Sequence, residues 1–119
     1  MTAPEKFRVW APVFLYALLI FLFSAIPGAY VPSFFPKSDK LLHFLEYLPF
    51  GFLILRAFTK TLPLRWLPTL LLALFMVSLY ALSDEIHQLF VRGRQFDLFD
   101  ALFDVIGAAS GSLLYLWRK

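Results

Sequence analysis

Four long apolar runs divide the chain, at about Val9 to Ile26, Leu41 to Phe58, Trp66 to Leu82 and Leu98 to Trp117. Each comes close to the roughly 17–25 residues a helix needs to cross a bilayer. The pattern predicts an all-α integral membrane bundle of four transmembrane helices, forming a single domain over residues 1–119. Ser24-Ala25-Ile26-Pro27-Gly28 closes the first run, because proline and glycine break a helix. Pro27, Pro32 and Pro36 then predict an irregular connector lying at the membrane interface. A signal-peptide reading of the first run is weaker. Its apolar stretch is long for an h-region, and Pro27 and Gly28 spoil the small-x-small cleavage pattern near Ala29.

The polar positions are not spread evenly between these runs. Ser83 to Asp97 holds Asp84, Glu85, His87, Gln88, Arg92, Arg94 and Asp97 beside segments that read as membrane-spanning. Ionisable groups are costly near lipid, so a cluster of them points to a site. If the third helix continues past Leu82, Asp84, His87 and Gln88 share one face with Glu85 to the side. That face suits acid–base chemistry, with His87 titrating near neutrality and a carboxylate orienting it; the plain alternative is a solvated loop face. The triplet could also take a divalent cation, but histidine and carboxylate without a fixed motif are weak metal evidence, so no metal site and no cofactor is assigned.

A second group opens the second run. Ser38 or Asp39 is placed to cap it, and Lys40, His43 and Tyr47 fall on one helical face with Glu46 beside them. Capping and an interfacial belt, with the tyrosine at headgroup depth, account for Asp39, Lys40 and Tyr47. They do not account for His43 and Glu46, which lie within otherwise apolar turns. Arg92-Gly93-Arg94 either pairs with nearby carboxylates or holds a lipid phosphate or other oxyanion, with Gly93 supplying the turn. Asp97, Asp100, Asp104, Gly107 and Gly111 follow a 3, 4, 3, 4 spacing along the fourth helix, a single seam on which Asp97 can serve as cap. The glycines permit close helix packing, inside the chain or between copies in a homo-oligomer. Asp104 lies about 9 Å into the helix and costs on the order of 2–3 kcal/mol if charged, so it should face the interior and pair with Arg94, Arg92 or His43, or stay protonated.

Composition supports the membrane class. The 119 residues are 61% hydrophobic with a mean hydropathy of +0.74, above the roughly 45–50% of soluble domains. The net charge of +3 raises nucleic acid as a partner, but the basic residues form no stripe with interleaved aromatics. With no cysteine, disulfides, thiolate catalysis and cysteine-ligated zinc are excluded. Lys6, Arg8, Arg56, Lys60, Arg65, Arg118 and Lys119 fall on one side of a four-span topology, against Lys37, Lys40, Arg92 and Arg94 on the other. The positive-inside rule therefore predicts both termini in the cytoplasm and the polar cluster outside.

Together these residues resemble the VanZ-like family, whose founding member is associated with resistance to the glycopeptide teicoplanin. The resemblance runs through Ser24-Ala25-Ile26-Pro27, Asp39-Lys40, His43 with Tyr47, Asp84-Glu85 with Gln88, Gly93-Arg94, Asp100, Gly107 and Gly111. The chain departs from the family at Asp104, where asparagine is common, and at Arg92, where proline is frequent. The family implies a multi-pass protein of the bacterial plasma membrane linked to the cell envelope, without a settled activity.

Three functional readings follow. The first is an outward polar site for an anionic lipid headgroup or lipid-linked envelope precursor, linked to teicoplanin susceptibility. In it Arg92 and Arg94, with Lys40 and Gln88, hold the anion, and Asp39, His43, Glu46, Tyr47, Asp84, Glu85, Asp97, Asp100 and Asp104 shape the site. The second is a membrane enzyme acting on a lipid-linked substrate, with Asp84 or Glu85 and His87 or His43 as acid and base. The third, a small transporter, is disfavoured because the acids gather at one mouth.

Overall fold

The computed structural model describes residues 1–118, so the Lys119 charge assigned to the cytoplasmic side lies outside the described residues. Four helices make up the bundle: α1 (Ala3–Ser24), α2 (Ser38–Thr61), α3 (Trp66–Gln88) and α4 (Leu98–Trp117). They contain 22, 24, 23 and 20 residues, and each is long and apolar enough to cross a membrane. No strand occurs among the described residues.

Helix α1 starts before its apolar run, α2 and α3 extend beyond theirs, and α4 coincides with its own. Thr2 and Glu5 form a reciprocal capping box, each side chain accepting the other's backbone N–H at 3.2 Å, which starts α1 at Ala3. At the start of α2 the expected capping role of Ser38 or Asp39 is not what occurs. Lys37 holds the cap position in the left-handed region (φ 64°), and Ser38 instead accepts the backbone N–H of Phe34 at 3.2 Å, closing the connector onto the helix. Asp97 does cap α4, accepting the Phe99 N–H at 2.8 Å. Pro49 removes one N–H from α2, and the Tyr16 hydroxyl of α1 donates to the adjacent carbonyl of Glu46.

The cross-contacts define an up-down-up-down bundle. Trp10 packs on Phe58 and Tyr16 reaches Glu46, so α1 and α2 are antiparallel. Phe44, Leu48 and Phe52 of α2 meet Gly107, Gly111 and Tyr115 of α4 in ascending order, so those two run parallel. Both termini therefore lie at one end, and the connectors 25–37 and 89–97 lie at the other.

The seam between α2 and α4 is the tightest in the molecule. A Cβ on Gly111 would stand 1.8 Å from the Leu48 carbonyl oxygen, and one on Gly51 would stand 2.0 Å from that of Ala108. The Ser112 hydroxyl donates to the Gly51 carbonyl at 3.1 Å across the same contact. Gly107 and Gly111 are thus consumed inside the chain. Both are buried, with Phe44 and Leu48 of α2 against them.

Gly111→Ala would gain up to about 1 kcal/mol of helix propensity. The clash is with backbone, which cannot rotate away, so overpacking of about 1–3 kcal/mol wins. The variant is expected to unfold at lower denaturant in detergent than the wild type; equal or greater stability would show that α2 and α4 are not in contact there.

Candidate functional site

Parallel packing of α2 on α4 brings two polar ladders into register. The Lys40 ammonium lies 2.8 Å from Asp39, 2.8 Å from Asp97 and 2.6 Å from Asp100. One turn deeper, His43 Nδ1 is 2.7 Å from Asp104 Oδ1, and its Nε2 is 3.5 Å from Asp100 Oδ2. Of the partners expected for Asp104, His43 is therefore the one it meets. The Asp97 carboxyl, in the connector, is held below the usual carboxylate range first of all by its hydrogen bond from Lys40.

Helix α3 closes the third side. Its inward stripe of Ala73, Val77 and Ala81 continues into Asp84, Glu85 and Gln88, all buried. Asp84 accepts the Tyr47 hydroxyl at 3.3 Å, and Glu85 Oε2 accepts the Asp97 backbone N–H at 3.1 Å. Tyr47 is thus wholly buried, its hydroxyl turned to Asp84 inside the bundle. His87 departs from the expected face. It lies flat against Phe21 of α1, ring centroids 4.4 Å apart, and forms no hydrogen bond with a carboxylate among the described residues. Glu85, expected to the side, takes the inward place. The imidazole that meets the carboxylates is His43.

The two arginines also separate. Gly28 and Gly93 touch, with the Gly28 N–H bonded to the Arg92 carbonyl at 2.8 Å, and Gly93 adopts φ 77° to allow it. A Cβ on Gly28 would stand 2.0 Å from the Gly93 oxygen, so this contact locks the two connectors together. Arg92 then projects outward. Arg94 turns inward, donates to the Ile26 carbonyl at 2.9 Å, and lines a cleft of about 870 Å³ between the connectors and the outer turns of α2. Neither arginine forms an ion pair among the described residues.

The cleft wall mixes Phe23, Ile26 and Leu45 with His43, Glu46 and Gln88. Lys40 is held by three carboxylates and does not line it. Tyr16 and Gly28, which also line the cleft, escaped the sequence reading: one sits in a uniform apolar run and the other reads only as a helix breaker. The Ala73, Val77, Ala81 spacing was the available signal for which face of Asp84 to Gln88 turns inward.

The family model described as VanZ/LLP1 matches residues 10–119. No curated protein and no solved structure matches the chain.

Lys40 is the charge on which this end of the bundle depends. Lys40→Met should lower stability by roughly 3 kcal/mol, the lower end of breaking a buried pair, because Asp97 and Asp100 lose their counter-ion. Asp39→Asn removes an exposed partner and should change stability by less than about 1 kcal/mol. Chemical unfolding of both variants in the same detergent separates them; equal losses would contradict this ranking.

Proposed function

The chain belongs to the VanZ/LLP1 family, a multi-pass membrane protein by its four apolar helices, and from that premise we propose that it binds an anionic lipid headgroup or lipid-linked envelope precursor at the outer face of a bacterial plasma membrane. The observation that carries this reading is Arg94. Its guanidinium has one donor engaged, has no carboxylate ion pair among the described residues, and borders a cleft whose wall is partly apolar. A guanidinium in that state offers paired donors to a phosphate-type oxyanion, while Phe23, Ile26 and Leu45 suit the start of an acyl or prenyl chain. The positive-inside distribution supports an orientation with both termini in the cytoplasm and this cleft outside. In its host the bound precursor or lipid would lower susceptibility to a teicoplanin-type glycopeptide, as the family resemblance implies.

A second reading rests on His43. Oriented by Asp104 and bordering the cleft beside Asp100, its ring has the geometry of a general acid–base for a lipid-linked substrate.

The first reading is tested by titrating the purified protein with a phosphatidylglycerol-containing nanodisc or micelle, read by native mass spectrometry. Arg94→Ala should weaken retention of the anionic lipid by about tenfold, equivalent to about 1.4 kcal/mol, and Arg92→Ala should leave it nearly unchanged. Equal effects of the two variants would remove the cleft from the account. The second reading expects release of product from a lipid-linked phosphate by the wild type and none from His43→Gln. An inert wild type would end it.

A further inference from the structure

Two triplets of metal-ligating side chains lie at the polar end of the bundle, and the chain treats them differently. Asp39, Asp97 and Asp100 form the first. Their cation is already present, because the Lys40 ammonium stands 2.8, 2.8 and 2.6 Å from them in turn. His43, Glu85 and Asp104 form the second, each with one donor atom within 4.8 Å of the donors of the other two. No lysine or arginine pairs with this triplet among the described residues. We propose that His43, Glu85 and Asp104 together bind one divalent first-row transition-metal ion.

An observation independent of the clustering points to a ligand. Glu85 and Asp104 are both 0% exposed. Each keeps one carboxylate oxygen, Glu85 Oε1 and Asp104 Oδ2, buried with no hydrogen-bond donor. Their other oxygens are engaged, with the Asp97 N–H at 3.1 Å and with His43 Nδ1 at 2.7 Å. Buried polar atoms are satisfied in the great majority of cases, so two orphaned oxygens in one triplet call for a shared partner. Charge gives the same answer. With Asp84 beside them, three buried carboxyl groups face a single imidazole, and Lys40 is occupied elsewhere.

The fit is close. Donors that share one ion at about 2.0–2.2 Å stand at most about 4.4 Å apart, and the donors of this triplet lie within 4.8 Å of one another. One nitrogen and two oxygens, without sulfur, suit Zn2+ or Mn2+; Mg2+ and Ca2+ favour all-oxygen shells. On metal binding His43 Nδ1 would release its proton and exchange its hydrogen bond with Asp104 for the ion, while Asp100, 3.5 Å from Nε2, is placed to accept the Nε2–H and orient the ring. The three ligands come from α2, α3 and α4, so a bound ion would tie those helices together beside His43, which lines the cleft. Arg94 takes no part, and the assignment stands whether or not the cleft takes an anionic lipid.

The test uses the full chain in detergent, stripped with a chelator and titrated with ZnCl2 or MnCl2, read by thermal unfolding and by metal content after desalting. The wild type should retain about one ion per chain and unfold at a higher temperature as the ion is added, as expected for a ligand that binds only the folded state. Glu85→Gln and Asp104→Asn should each weaken apparent affinity by at least about tenfold. Asp39→Asn, in the triplet that Lys40 already fills, should behave as the wild type. Absence of retained metal and of any thermal shift with either ion would overturn the proposal in favour of a proton-sharing carboxyl network. Wild-type binding that both variants preserve would overturn it too, by moving the site elsewhere. Should both variants fail to fold, X-ray absorption of the zinc-loaded wild type decides: a nitrogen–oxygen shell with one imidazole supports the site, and a shell with none overturns it.

Discussion

Everything at the polar end depends on how closely α2 and α4 approach. Gly51, Gly107 and Gly111 let the two backbones meet at a distance that no Cβ would permit. Because the helices run parallel, their 3–4 spacings stay in step from one turn to the next. Lys40 therefore meets Asp97 and Asp100, and His43 meets Asp104, without either side chain stretching. The glycines below and the charges above are parts of one seam. Moving the seam apart by the width of a methyl group would lengthen contacts now at 2.6–2.8 Å, and their electrostatic attraction falls with distance while the desolvation of each group remains.

Charge accounting then sets what the site can be. At the outer end of the seam, Lys40 balances Asp39 and Asp97, which water still reaches, and the buried Asp100. One turn deeper, carboxylates outnumber cations, and the low dielectric makes each imbalance more serious. Tyr47, the Asp97 backbone N–H and His43 satisfy part of the demand. The remainder falls on two buried oxygens, Glu85 Oε1 of α3 and Asp104 Oδ2 of α4. Such a residue of unmet demand is what distinguishes a ligand site from an internal ion-pair scaffold.

The four spans were legible from hydropathy because length and apolar content alone decide whether a helix can cross a bilayer. The seam from Asp97 to Gly111 was legible for a similar reason, a strict spacing on one helix. Asp97 as a cap also followed from local position, whereas His43 was only one of several partners open to Asp104. What failed was azimuth. On α3 the triplet of Asp84, His87 and Gln88 is as good a face as Asp84, Glu85 and Gln88 by spacing alone. The difference is set by where α2 and α4 sit, so His87 ends against Phe21 and Glu85 turns inward. The glycine pair posed the same difficulty, since small-residue spacing states that a helix will be met closely and is silent on whether the neighbour is the same chain. Arg92 and Arg94 were inseparable until the Gly28–Gly93 contact fixed which of them turns into the cleft.

That contact also explains why Arg94 keeps its charge available while Lys40 does not. Lys40 stands on a helix directly facing α4, where three carboxylates converge on a compact ammonium with three donors. Arg94 stands on a connector pinned through Arg92 and Gly28, and the Ile26 carbonyl holds one edge of its guanidinium. A carbonyl fixes the position of the group without neutralising it. A planar fork held by a neutral acceptor, at the edge of a cleft that Glu46 also lines, is free to engage an oxyanion. The two cations thus divide the work by geometry: one stabilises the packing of the helices, and the other is left facing whatever enters the cleft.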